Sequence, residues 1–383
     1  MSQYPLETKK ENKEELITTE KRTKRKIYFW IVLSFFCILI SLFLIFLILF
    51  FLKQAKVNKV FNSKELKEEI GLEENINKKV RLIDGVYVEE GRENFFPFAV
   101  MIDNHSDARP PSGLDRANLV FEAEVEGGIT RYLAIFASGE NIPEIGPIRS
   151  ARPYFINWAH EFSALYAHVG GSPEALVKIK QDNIFDINEF YNETYFWRAD
   201  HFNMPHNVFT SSEKLKKYIQ NKNLEEGSFF PWKFKNDKKK KDLPLSSKIS
   251  IKFKLDIYAV DWIFDQENNI YIRYQNTKCP EGVKCSEDKK PHYVKSGGII
   301  SAKNIIIEYV PAEEIDDKLR LNMKVVGEGE ALVCLDGSCR EAQWEKKTES
   351  SRTRYYINDE EIEFNRGVTW IEVLRPEIEI NYE

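Results

Sequence analysis

A large excess of charge of either sign is missing from this chain: 55 Lys and Arg stand against 60 Asp and Glu in 383 residues, a formal net charge of −5. Nucleic-acid binding usually calls for a basic face, so no nucleic-acid partner is expected. The HExxH word of helical zinc sites is absent, as is the GxSxG word of the serine-hydrolase elbow. Cysteine is sparse, at five residues, and Phe36 precedes Cys37 where a lipid-attachment signal needs a small residue. Long apolar runs are missing too, with one exception, Ile27 to Leu52, broken by Ser34 and Ser41.

That exception is long enough to matter. At about 1.5 Å of rise per residue it exceeds the roughly 30 Å hydrocarbon core of a bilayer, which predicts a transmembrane helix. A cleaved signal peptide has a shorter apolar region ending in small residues, and neither feature is present. Lys21, Arg22, Lys24, Arg25 and Lys26 precede the run, so the N-terminus is expected on the cytoplasmic side and the bulk of the chain outside. The resulting division is a cytoplasmic tail at 1–26, an anchor in the membrane at 27–52 and a stalk at 53–80, where Ser63 is placed as an N-cap. An ectodomain at 81–235, a linker at 236–245 and a second domain at 246–383 follow. The linker carries the Lys run of FKNDKKKKDLP, which reads as solvated.

The expected fold class is α+β. In the first ectodomain FAVMI, NLVFEA, RYLAIF and ALYAHV are strand-like, and continuous apolar character predicts strands covered on both faces. ARPYFINWAHEF, SPEALVKIK and SSEKLKKYI are helix-like, the last two capped by Ser172 and by Ser211 or Ser212. Strands alternating with helices give an α/β layered domain. After Leu243 short alternating strands separated by turn words (ISIKFKL, IYIRYQ, KNIIIEYV, EALVCL, VTWIEVL) predict a mainly antiparallel β domain. Cys279 with Cys285, and Cys334 with Cys339, each flank a turn-like segment. Two disulfides fit an oxidising compartment, and the spacings suit a four-thiolate zinc site less well.

Polar words gather at the ends of the apolar runs between Phe98 and Gly171. Asp103, Asn104 and His105 follow a predicted strand, at the edge where open α/β sheets bind ligands. Arg109 lies in the next loop. Glu122, Glu124 and Glu126 alternate, as if on one strand face, while Arg131, Arg149 and Arg152 come from later turns. Guanidinium forks take phosphate or carboxylate in bidentate fashion, so these arginines form a candidate anion pocket with His168 and His206. The same arginines could instead pair with the acidic residues as a structural network. Asp103 is placed as a base or metal ligand. A metal could draw on Asp103, His105, His168 and His206, but separate hydrogen-bonded histidines are the commoner arrangement, and no metal site is assigned. Ser172 is read as a cap, not a nucleophile.

The words VMIDNHSDARPPSGLDRANLVFEAEVEGGITRYLAIF, IGPIRSARPYF, ALYAHVGGSPEAL and MPHNVFTS, with FNRGVTWIEVL nearer the C-terminus, closely resemble the YerB-like envelope proteins. That family has N- and C-terminal domains of unknown function. The resemblance implies an extracytoplasmic protein held at the membrane. It departs from the family in its anchor, an apolar span in place of a lipidated Cys, and in its Cys pairs. Three functions are expected from these readings: a binding module for an anionic envelope ligand, an enzyme transferring or hydrolysing a phosphoryl-linked envelope precursor, or a scaffold contacting envelope proteins. The cofactor is left open.

Overall fold

Strand formation follows the apolar runs, and the runs from both halves of the chain enter one sheet. The computed structural model describes Leu47, Leu49, residues 78–276, Cys285 and residues 289–383. The anchor expected at 27–52 lies outside these residues except for Leu47 and Leu49, which are helical, and most of the stalk lies outside them too. Among the described residues no helix is long and apolar enough to cross a membrane.

The first half contributes β1 (Phe98–Asp103), β2 (Leu119–Glu124), β3 (Thr130–Phe136), β4 (Leu165–His168) and β5 (Asp186–Asn188). The second contributes β6 (Asn304–Tyr309), β7 (Gly327–Leu335), β8 (Ser338–Lys346), β9 (Arg354–Ile357), β10 (Glu360–Glu361) and β11 (Thr369–Leu374). They hydrogen-bond in the order β10-β9-β8-β7-β6-β11-β2-β3-β1-β4-β5. The seam between the halves is β11 against β2, which run parallel from Thr369 opposite Leu119 to Val373 opposite Ala123. Residues 77–383 form one compact unit built on this sheet.

β1, β2 and β3 are buried at every position, as their unbroken apolar runs require of strands covered on both faces. One face packs on the helices α1 (Pro153–His160) and α2 (Pro173–Gln181), where Trp158 stacks on Phe121 with ring centroids 5.0 Å apart. The opposite face packs on a second, antiparallel sheet whose centre is Lys248–Lys252, Val260–Asp265 and Ile270–Gln275. Leu215 and Ile219 of α3 (Ser212–Gln220) join the core on that side.

Most strand pairs within the second half are antiparallel, as expected of a mainly antiparallel domain, with one parallel pair at the centre of the large sheet. β6 runs parallel to β11, and both sit in the doubly covered centre of the sheet, where parallel pairing is at home. Between β6 and β7, Leu321–Met323 pairs with Ala312–Glu314 in a separate ribbon. β7 and β8 meet in a two-residue turn, Asp336 and Gly337, both at positive φ (53° and 73°), the mirror-image geometry that Asp-Gly favours. Directly across that hairpin Cys334 and Cys339 form a disulfide, which removes two thiolates from any four-cysteine metal site. Cys285 is also disulfide-bonded, and its expected partner Cys279 lies outside the described residues.

Candidate functional site

β1 ends at Asp103, and the chain then turns through the 3-10 segment Ser106–Ala108, whose entry is capped by His105. Alongside runs the segment around Ile148, bridged to Ile102, with the Arg149 N–H donating to the Met101 carbonyl at 2.9 Å. Asp103 is 2 % exposed, yet its carboxylate is fully partnered. One oxygen accepts the His105 backbone N–H at 2.9 Å; the other accepts His206 Nδ1–H at 2.7 Å and lies 3.0 Å from Arg149 Nε. The His105 and His206 rings stack at 4.7 Å, 17° from parallel.

Arg131 stands opposite Asp103 in the β1–β3 register and reaches the Ser150 carbonyl at 3.1 Å. Its Nε is buried without a hydrogen-bond partner among the described residues. Arg152 pairs closely with Glu126, which Arg131 also approaches at 3.8 Å. Three guanidinium groups, two of them nearly buried, therefore share two carboxylates.

The electrostatics follow from that packing. Burial alone would raise the Asp103 carboxyl, but the His206 hydrogen bond and the charges of Arg149 and Arg131 hold it below its usual range. Burial, with Arg152 and Arg149 close by, pulls Arg131 down to about 10. Burial, with His206 beside it, lowers His105, so its ring is neutral at neutral pH.

Asp103, His105, Arg131, Arg149 and His206 thus converge, with Arg152 joined through Glu126. Asn104 and Arg109, predicted for the same pocket, turn the other way: Asn104 because successive residues of an extended chain point to opposite sides, Arg109 because it follows the 3-10 turn Ser106–Ala108. They enter a buried network between the two sheets. Asn104 Nδ2 donates to Glu122 and Thr130, and Arg109 donates to the carbonyls of Asn104, Ile257 and Asn276. His168 is also taken out of the pocket: fully buried, it bonds the Gly170 carbonyl at 2.6 Å and Asp186 at 3.0 Å. The expected row of glutamates divides. Glu122 faces the second sheet, Glu124 bonds Arg375 at 2.9 Å, and Glu126 has left the strand for a 3-10 turn. Ser172 Oγ accepts the Ala175 N–H and so caps α2.

The centre of that intersheet network is Arg273, fully buried and unremarked in the sequence. It donates to Glu122 at 2.5 Å, to Gln275 at 2.7 Å and to His292 Nδ1 at 2.6 Å, and lies over the rings of Trp370, Tyr132 and Trp262. Burial, together with the charge of Glu122, pushes the neighbouring Glu372 carboxyl well up, so it is neutral and accepts the Trp262 N–H. These groups are sealed between layers and act as structure. A groove of about 810 Å³ elsewhere is edged by Glu328, Glu330, Glu341 and Asp359 and is too acidic to suit an anion.

The layered mixed sheet, with its polar cluster at the end of β1, belongs to a family of proteins of unknown function, DUF3048. Its N-terminal domain model matches residues 84–225 and its C-terminal domain model residues 249–371. Among curated relatives, "Putative lipoprotein YerB" of Bacillus subtilis (strain 168) is 29% identical over 296 residues, 76% of this chain and 85% of that protein. The crystal structure of YerB from Bacillus subtilis superposes with a TM-score of 0.66 at 27% identity, covering 79% of this chain and all of that one.

Proposed function

We propose that the chain is a membrane-held, extracytoplasmic protein of the cell envelope that binds a phosphate- or carboxylate-bearing ligand at Arg131, Arg149 and Arg152. The lipoprotein name of its relative supports the location, as does the apolar run at 27–52. The observation that carries the binding reading is the excess of guanidinium over carboxylate around Asp103, with Arg131 buried and one of its N–H groups unanswered. An incoming anion supplies the missing negative charge, and bidentate hydrogen bonds to arginine give it an orientation.

A second reading has one observation of its own. Asp103 holds His206 by Nδ1, which leaves Nε2 free, the arrangement of an oriented general base. That geometry supports transfer or hydrolysis of a phosphoryl-linked precursor.

Calorimetric titration of the full-length protein in detergent and metal-free buffer, with inorganic phosphate and pyrophosphate as probes, tests both. Binding weakened about 10-fold or more in Arg149→Ala and Arg149→Lys, with the Lys variant keeping its melting temperature, supports the anion site. No binding by the wild type, or binding untouched in the folded Lys variant, overturns it. Release of phosphate from pyrophosphate during the titration favours the enzyme.

A further inference from the structure

We propose that His105, Asp107 and His206 form a binding site for a single divalent transition-metal ion, of the zinc type, with Asp103 as the outer carboxylate that orients His206. The site adjoins the arginine cluster through Asp103, which also faces Arg149, but its three ligands are distinct from the anion-binding arginines.

Two segments far apart in the chain supply the donors. His105 and Asp107 stand on either side of Ser106 in the turn after β1, and His206 arrives from the loop whose backbone is tied by the His206 N–H to the Asn203 carbonyl at 2.8 Å. One donor atom from each of the three lies within 4.8 Å of the others. His105 Nδ1 lies 3.8 Å from Asp107 Oδ2, and an ion bound there would displace the Asp107 N–H that Nδ1 now accepts at 3.2 Å. Two ligands held about 2.0–2.1 Å from a tetrahedral zinc ion stand roughly 3.4 Å apart, so that pair is near ligating separation as it stands. The Asp107 side chain is 71% exposed and so has room to close the remaining gap, whereas His105 is held against the His206 ring.

His206 carries the second, independent observation. Its Nδ1 is taken by Asp103 Oδ2 at 2.7 Å, so Nε2 is the ring nitrogen left for an ion. A carboxylate fixing the tautomer of a histidine through the nitrogen remote from the metal is the usual outer-sphere arrangement of ligating histidines. The His206 side chain is 12% exposed and that of Asp103 2%, so this half of the site is held in place before any ion arrives. Two imidazoles and one carboxylate form a nitrogen and oxygen donor set suited to zinc, cobalt or manganese, not to calcium or magnesium. Three protein ligands leave a fourth position open on the solvent side. The HExxH pattern that marks such sites in sequence is absent because the histidines come from two loops and not from one helix.

Cobalt(II) titration of the full-length protein in detergent and phosphate-free buffer, followed by visible absorption and then by displacement with zinc, tests the proposal. One equivalent of cobalt should give the intense bands of a four-coordinate ion. Affinity should fall at least about 10-fold in Asp107→Ala, at an exposed position, and in His105→Ala provided that its melting temperature is kept, and about 10–100-fold in Asp103→Asn. Absence of the bands, or a His105→Ala/Asp107→Ala double variant that binds cobalt as the wild type does, overturns it. Because phosphate is measured without metal and cobalt without phosphate, failure of one site leaves the other standing.

Discussion

Asp103 is a short side chain with three obligations: the His105 backbone, the His206 ring and the Arg149 guanidinium. Because its folded-state carboxyl is held below the ordinary value, its contribution to stability is complete above the unfolded value and is lost as the pH falls through the folded one. Asp103→Asn removes a buried charge partner and is expected to cost about 3 kcal/mol at neutral pH, since it leaves Arg149 unpaired and offers His206 an amide. The difference from wild type should shrink as denaturant midpoints are followed from about pH 6 down to about pH 2. A gap that stays constant with pH would show that Asp103 does not titrate as described. Its place was legible in the sequence: a polar word directly after an apolar run marks a strand end, and the same signal flagged His105, whereas Arg131 and Arg149 were flagged by the turn words GGITR and IRSAR. Arg273 left no such mark. In IYIRYQ the isoleucines look like the inward residues, yet Tyr271, Arg273 and Gln275 are the buried set. What reverses the face is Glu122 with three aromatic rings, partners distant in sequence that no local pattern contains.

β6 carries a second buried carboxyl that pays out in the opposite pH direction. Glu308 is buried, accepts the Tyr355 hydroxyl, and is pushed up to about 7 chiefly by burial, with Glu161 adding to it. A folded-state value above the unfolded one means that its stabilisation is complete below about 4.5 and is lost as the pH rises through about 7. Relative to wild type, Glu308→Gln should therefore gain about 3 kcal/mol between pH 5 and pH 8, read from urea denaturation at the two values. Equal differences at both would disprove the neutral state of Glu308. The element itself was plain in KNIIIEYV, as were β1 to β4, α1 to α3 and the Cys334–Cys339 hairpin, because apolar period, serine caps and an Asp-Gly turn are all local signals. Direction was not: the run that became β11 could have paired either way, and its parallel choice depends on which neighbours cover it.

At the scale of the molecule the halves that differ in texture are joined through β2 and β11, strands from opposite ends of the described chain. The Arg273–Glu122 pair adds a second tie, from the second sheet to the first half. Unfolding of the full-length protein by urea in detergent should accordingly be one transition, with tryptophan fluorescence and backbone circular dichroism superimposing. Two separated transitions would mean that the halves hold themselves up independently. The change in texture after Leu243 was legible as composition, whereas the seam was not, since strand pairing over such a distance leaves no periodic trace. The seam also sets a timetable. A chain that emerges N-terminus first completes β1 to β5 early, but one edge of β2 keeps its amides and carbonyls bare until Thr369–Leu374 follows. For most of its synthesis the molecule is an adhesive intermediate, and a chain halted before residue 369 is left sticky, not merely shorter.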